Sequence, residues 1–368
     1  MFKKFALAAT ALSALTFTAQ AADFSGKSWE DIVAEAKKEG EVNWYVWYFQ
    51  DNFREFVKPF EEKYGIKVNI PTGTHDSNLD KMLADKARET GDIDVLAFGF
   101  DRVPDMDATK LFYPMRDLLP ADDGRTWELV GIDGMGVVAA WWGNQTGIAY
   151  DPAKVDVSAL PQTPEDFAKF WQENPGKFGF NYEKGGSGPS FYQNMLRVLT
   201  DVDFYDGEVT DAKVEGLQPG FDFFNKYAED YIITASNVDS ITRVSDGELS
   251  MTAAWEDHLA GLQKRGEVRK EIKFYIPEMG MNGGGNAIGI PVNAPHPAAG
   301  LVLSDWLASA DVQSMFNKDF GTAPMHSKAD DSYALVPNEQ RKYRTPWGAN
   351  PFRKKVEETF IENVVLER

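Results

Sequence analysis

Hydrophobic positions in the N-terminal part of the chain switch between the spacing of amphipathic helices and that of strands. Ser28 and Asp31 form a capping-box motif, which predicts a helix from Trp29 to Gly40. The elements that follow alternate as β-α-β-α-β, an order that predicts a parallel sheet with right-handed crossovers. The predicted strands cover residues 42–47, 66–70 and 93–98, and the predicted helices between them cover residues 52–64 and 79–90.

The rest of the chain repeats this alternation without a long linker, a repeat or a low-complexity tract. Strand-like runs without a linker between α/β units predict two lobes that exchange segments of chain. The sequence Asn282-Gly283-Gly284-Gly285-Asn286 is predicted to be a turn. The predicted strands here are residues 137–142, 146–150, 249–254, 274–276 and 287–291, and the predicted helices are residues 161–171, 191–199, 220–231, 257–265, 298–307 and 311–317.

The first twenty-one residues have the pattern of a secretory leader. Lys3 and Lys4 precede an uncharged apolar run over residues 5–19, which is shorter than the roughly 20 residues of a membrane span. The small residues of Ala19-Gln20-Ala21 suit cleavage by a signal peptidase, so a mature chain is expected to begin near Ala22. No cysteine follows them to carry a lipid, and we therefore expect a released periplasmic protein.

Composition narrows the function classes. The 368 residues carry a formal charge of −19, which disfavours a nucleic-acid partner because phosphate binding requires positive charge. The acidity is compatible with a cationic ligand, although it also serves simply to solvate a soluble protein. Cysteine is absent, so stability in an oxidising compartment must come from packing rather than from disulfides.

Three stretches resemble the type II periplasmic solute-binding proteins of ABC importers, extracellular family 1, and are closest to the polyamine, iron and thiamine branch. They are residues 42–47 with 56–70, residues 146–155, and residues 290–313. The resemblance implies two α/β lobes, each a mostly parallel sheet flanked by helices, joined by hinge strands that close over a small-molecule ligand. It also implies delivery to an ABC permease in the inner membrane. From the residues we expect no enzymatic activity, cofactor or metal. We expect a monomer, with lobe 1 formed by residues 22–144 plus 256–309 and lobe 2 by residues 145–255 plus 310–368.

Candidate ligand-binding residues follow from the rule that open α/β sheets bind ligands beyond the carboxyl ends of their strands. Aromatic rings there can stack a flat or cationic group, and acids can neutralise it. Each ring can equally serve only to pack its lobe, and Trp142 shares its strand with Trp141, so at most one indole faces a cleft. The candidates at these positions are Trp47, Tyr48 and Asp51 after the first strand, Phe100 and Asp101 after the third, and Trp142 at the first crossing.

Two further positions lie in the second half of the chain. Ser187 belongs to a glycine-rich helix start whose N–H groups could bind an anion, or which could be a plain turn. A strand is followed by Trp255, Glu256 and Asp257. This pattern resembles that of polyamine binders, which hold the ligand amines with an aromatic residue and an acid at the matching place. His258 departs from that pattern, and Asp257 could instead cap a helix. In residues 72–77, Asp76 or Ser77 is predicted to cap a helix.

These residues favour an amine-bearing or cationic solute such as a polyamine, a thiamine-like cation or an opine-like zwitterion. A sugar or polyol is the alternative, because tryptophan stacking and carboxylate hydrogen bonds also suit hydroxyl-rich rings. A secreted hydrolase with paired carboxylates is a second alternative. The sequence has neither a G-x-S-x-G elbow nor an H-E-x-x-H motif, and no adjacent tyrosine pair of the kind ferric-binding relatives use.

Overall fold

The structure is a computed structural model that describes residues 23–368, so the predicted leader lies outside the described residues. Within this range no helix combines the length and the apolar composition that a membrane span requires. The helices are α1 Trp29–Glu39, α2 Gln50–Phe56, α3 Lys58–Tyr64, α4 His75–Asp85, α5 Ala108–Leu111, α6 Met115–Leu118, α7 Pro164–Glu173, α8 Ser187–Leu199, α9 Asp211–Glu215, α10 Gln218–Lys226, α11 Asn237–Ser245, α12 Glu256–Arg265, α13 Pro297–Leu307, α14 Ala310–Phe320 and α15 Phe352–Phe360. The strands are β1 Glu41–Tyr45, β2 Lys67–Asn69, β3 Val95–Gly99, β4 Glu128–Leu129, β5 Ile132–Asp133, β6 Val138–Tyr150, β7 Phe178–Asn181, β8 Ile232–Thr234, β9 Met251–Trp255, β10 Lys273–Tyr275, β11 Met281–Gly289 and β12 Arg344–Thr345.

Local chemistry sets several of the helix boundaries. The Ser28 hydroxyl accepts a hydrogen bond from the Asp31 N–H and the Asp31 carboxylate binds back, so the predicted capping box of α1 is confirmed. Thr74 caps α4 in the same way, and the prediction that Asp76 or Ser77 is the cap was wrong. The helix predicted over residues 52–64 is broken at Val57 into α2 and α3, and Pro59, which has no N–H to donate, lies in the first turn of α3.

Two long strands carry one curled sheet through both lobes. In lobe 1, β2, β1 and β3 run parallel, and β11 pairs antiparallel with β3. In lobe 2, β9, β7 and β8 run parallel, and β6 pairs antiparallel with β9. The strands β6 and β11 pair with each other at the centre of the sheet, in the order β2-β1-β3-β11-β6-β9-β7-β8. The predicted fold class, a two-lobed α/β protein with mostly parallel sheets joined by crossing strands, is confirmed.

The glycine-rich sequence that begins at Asn282 is part of β11, so the prediction of a turn was wrong. Glycine is required there because the chains approach closely. A Cβ on Gly285 would lie 2.4 Å from the Trp142 carbonyl oxygen, and a Cβ on Gly283 would lie 2.0 Å from Oε1 of Gln145. The two runs predicted separately at residues 137–142 and 146–150 form the single strand β6.

The hydrophobic cores separate the two lobes. One cluster spans residues 148–281 and then takes in residues 336–364, whereas two others combine residues 24–142 with residues 287–325. Leu259 of α12 packs with the first cluster, and Phe316 and Phe320 of α14 pack with the lobe 1 residues. This packing assigns α12 to lobe 2 and α14 to lobe 1, whereas the sequence-based boundaries placed residues 256–309 in lobe 1 and residues from 310 onward in lobe 2.

Candidate ligand-binding site

A cavity of about 510 Å³ lies where the two lobes face each other beside the crossing strands. Its wall contains partly or fully buried aromatic residues from both lobes, which are Trp47, Tyr48, Phe100, Trp255 and Trp347. Its ionisable side chains are Asp101, Asp257, Glu357, Arg353, His75 and His258. The volume suits a small organic molecule.

The lobe 1 corner of the cavity is built around Trp47, just beyond β1. The His75 ring meets the Trp47 indole edge-on, with 4.7 Å between ring centroids. Nε2 of His75 accepts a hydrogen bond from the Gly99 N–H at 3.3 Å, and Nδ1 lies 2.9 Å from an Asp76 carboxylate oxygen. This hydrogen bond with His75 lowers the pKa of Asp76. The indole is therefore held between β1 and α4.

Tyr48 forms the floor of this corner. Its hydroxyl oxygen accepts a hydrogen bond from Nδ2 of Asn286 in β11 at 2.6 Å. Burial raises the pKa of Tyr48 well above its usual range, and the neighbouring Asp257 carboxylate raises it further. The phenol therefore stays neutral and presents a ring face and a fixed hydroxyl.

Asp257 lies in the first turn of α12, where the helix dipole favours a negative charge. One of its oxygens, Oδ2, accepts a hydrogen bond from Nε1 of the buried Trp142 at 3.2 Å, and Oδ1 accepts from the His258 N–H at 2.9 Å. The side chain is 6% exposed and lines the cavity. Trp142 itself is fully buried; it orients this carboxylate and packs edge-on against Tyr48, with 5.3 Å between ring centroids.

Two indoles meet on the lobe 2 side. Trp255 ends β9, and its ring centroid lies 6.3 Å from that of Trp347 in the C-terminal segment. A Cβ on Gly186 would lie 3.1 Å from Trp255 and 3.4 Å from Trp347. The absence of a side chain at residue 186 therefore makes room for both rings at the start of α8.

The C-terminal helix α15 supplies two charged groups. Nη1 of Arg353 donates to Oδ2 of Asp101 at 2.7 Å, an ion pair that joins lobe 2 to lobe 1. Glu357 accepts a hydrogen bond from Nε2 of Gln193 at 3.0 Å. Burial raises the pKa of Glu357, although the positive charge of Arg353 opposes that rise.

A profile of the protein family described as bacterial extracellular solute-binding protein matches residues 55–342, which is most of the chain. The chain belongs to this family. A search of curated protein sequences finds no match. The family match confirms the predicted family resemblance.

Solved structures show what the fold of this solute-binding protein is similar to. A spermidine/putrescine ABC transporter substrate-binding protein, PotD from Streptococcus pneumoniae, is 12% identical with a TM-score of 0.67, and the match covers 89% of this chain and 98% of that one. Iron-bound HitA from Pseudomonas aeruginosa is 18% identical with a TM-score of 0.64, covering 87% and 99%. AfuA from Actinobacillus pleuropneumoniae, with bound fructose-6-phosphate, is 16% identical with a TM-score of 0.59, covering 89% and 99%.

The structure brings most of the predicted site residues of the solute-binding protein to one cavity. Six of them line it directly, and Trp142 lies behind Asp257. Three lie elsewhere. The Asp51 side chain is 97% exposed and pairs with Arg54 on the outer face of α2. The residues that line the cavity are Trp47, Tyr48, Phe100, Asp101, Trp255 and Asp257.

Ser187 and Glu256 are structural in this protein. The Ser187 hydroxyl lies 2.9 and 2.7 Å from the amide oxygens of Asn181 and Asn237, which also accept the first N–H groups of α8. Those N–H groups are therefore already bonded rather than open to an anion. Glu256 is 1% exposed and pairs with Arg341 at 2.9 Å.

Sequence reasoning missed the contribution of the C-terminal segment. Trp347, Arg353 and Glu357 follow no predicted strand, so the strand-end rule could not select them. Phe352, Val356 and Phe360 recur at helical spacing, and this pattern could have revealed α15 but not the direction in which its polar residues face. His75 lies within residues 72–77, and the prediction of a helix cap there gives no reason to single out the histidine.

Among residues 23–368, no group of three or more histidine, aspartate or glutamate side chains has an arrangement that could hold a metal ion.

Proposed function

We propose that this protein is the substrate-binding component of an ABC importer and captures an amine-bearing or otherwise cationic solute between its lobes. The solute would be handed unchanged to a membrane permease. The predicted leader and the extracellular family support a periplasmic location. The likeness of the fold to PotD supports the importer role.

The charge balance of the cavity carries the proposal. Three carboxylates and one guanidinium line it, and the guanidinium already pairs with Asp101. Neither Asp257 nor Glu357 forms an ion pair with another side chain of the described chain. These two acids leave the cavity negative, and the rings beside them suit a cation, which gains roughly 0.5–2 kcal/mol over an aromatic face.

An anionic ligand fits this cavity poorly. A sugar phosphate such as the one bound to AfuA would face Asp257 and Glu357, while Arg353 is already engaged. The N-terminal N–H groups of α8, which could bind a phosphate, are bonded to asparagine side chains. A neutral polyol is the competing ligand class, since it can stack on the indoles and carries no charge that the cavity would have to balance.

Ligand binding to protein that has first been unfolded and then refolded separates these ligand classes. Unfolding releases any solute that copurified with the protein. Putrescine, choline and thiamine are compared with butanediol, glucose and glucose phosphate in a thermal-shift panel. Free ligand at about 100 times its dissociation constant adds about 2.7 kcal/mol to the free energy of unfolding. We expect stabilisation by at least one cation and none by butanediol. Stabilisation by polyols or phosphates alone would overturn the proposal.

A further inference from the structure

Asp101 differs from the other cavity acids in having a cation of its own. Its Oδ2 accepts from Nη1 of Arg353 at 2.7 Å, and both side chains are mostly buried, with 24% and 16% exposure. Asp101 follows β3 in lobe 1, at a strand end, which is where a protein carboxylate that binds the ligand is expected. Arg353 comes from lobe 2, so this position is filled by the protein itself.

The arginine is held in place from several sides. Its neighbour Phe352 is fully buried in the lobe 2 core, and the guanidinium lies 5.4 Å from the centroid of the Trp347 ring. On the lobe 1 side, a Cβ on Gly99 would lie 2.4 Å from Oδ1 of Asp101, so glycine leaves room for the carboxylate. The pair is thus a built contact between fixed elements rather than a loose surface ion pair.

We propose that Arg353 is a specificity-determining residue that occupies Asp101 as a built-in cation. The cavity then has two carboxylates without an ion-pair partner among the described residues, Asp257 and Glu357, and a third, Asp101, that is already neutralised by the chain's own guanidinium. This inference rests on the proposed function and deepens it, because it assigns the ligand cation to Asp257 or Glu357 rather than to Asp101. Removing Arg353 exposes the Asp101 carboxylate and creates a place for a second cation.

The test compares a monocation with a dication of matched carbon chain on refolded protein. Butylamine and putrescine are titrated calorimetrically into the wild type and Arg353→Gln. The matched control is Lys354→Gln, which removes the same charge from the next residue of α15, an exposed side chain outside the cavity lining. A double variant, Arg353→Gln with Asp101→Asn, removes the carboxylate that the single variant exposes.

We expect Arg353→Gln to raise the ratio of putrescine affinity to butylamine affinity about tenfold, equivalent to about 1.4 kcal/mol. Lys354→Gln should keep the wild-type ratio, and the double variant should return to it. An unchanged ratio in a folded Arg353→Gln protein would overturn the inference, as would an equal change in Lys354→Gln.

The outcomes also separate this inference from the proposed function. If the wild type binds neither amine but Arg353→Gln binds putrescine, the inference holds, and the proposed function falls only if choline and thiamine also fail to stabilise the wild type. If the wild type binds amines and the ratio does not move, the proposed function holds and the inference fails. If no variant binds either amine, the inference is overturned, and the proposed function is decided by choline and thiamine in the thermal-shift panel.

Discussion

At the scale of single residues, the cavity combines rings that stack with acids whose charge is not paired. Trp255 was predicted from the sequence and lines the cavity from lobe 2. It is partly buried, beside the ring of Trp347. Asp257 faces the same space and is oriented by the indole N–H of Trp142. A solute between the lobes would contact both an aromatic face and a carboxylate.

Replacing Trp255 with alanine should weaken cation binding about 2- to 30-fold, the range that corresponds to a cation over an aromatic face. The measurement is calorimetric titration of the refolded variant with the tightest compound of the panel. Trp29→Ala is the control, since Trp29 packs at the start of α1 outside the cavity lining. Unchanged affinity in Trp255→Ala would place the solute away from this wall.

The pH dependence of binding should report Glu357. Its pKa is raised by burial, so on acidification Glu357 takes up its proton at a higher pH than an ordinary glutamate. Protonation removes one negative charge from the cavity, and cation affinity should therefore fall as the pH drops through this raised pKa. In Glu357→Gln this step should vanish and the affinity at neutral pH should be lower. A step that persists in the variant would show that another group causes it.

At the scale of elements, the C-terminal segment is anchored by the start of α12. Oε1 of Glu256 accepts hydrogen bonds from the N–H groups of Leu335 and Val336 at 3.1 and 3.2 Å, and it pairs with Arg341. Burial raises the pKa of Glu256, against the attraction of Arg341. The segment that begins here leads on to Trp347 and Arg353, so an acid outside the cavity lining helps to position the cavity wall.

Glu256→Gln should lower the free energy of unfolding by about 3–5 kcal/mol, because it leaves Arg341 mostly buried without its counter-charge. Glu267→Gln, in an exposed pair with Arg265, should leave the free energy of unfolding almost unchanged. Urea denaturation followed by tryptophan fluorescence measures both. Equal losses in the two variants would contradict the anchoring role of Glu256.

The contrast between predicted and observed elements has a physical cause. The start of α1 could be predicted because Ser28 and Asp31 act on their own helix end. The strand at Gly283 and Gly285 could not, because those glycines are needed for contacts with Gln145 and Trp142 on another strand. Trp347 and Arg353 depend on how the C-terminal segment docks onto lobe 2, which no local pattern encodes. The strand-end residues could be predicted because parallel sheets place ligands there.

At the scale of the whole molecule, the lobes are connected in two ways. The strands β6 and β11 run through both, and the ion pair of Asp101 with Arg353 joins them at the cavity. Hinged lobes that share a cavity let a solute select the closed arrangement through contacts with both sides. The importer role therefore depends on the solute lying between the lobes.

The most direct measurement is a crystal structure of the refolded protein with the tightest compound of the panel. We predict that this compound is a cation inside the interlobe cavity, with its charged nitrogen within about 3.2 Å of an Asp257 or Glu357 oxygen. We also predict that Arg353 still holds Asp101. A compound bound outside the cavity, or an anion or polyol as the tightest binder, would contradict the account.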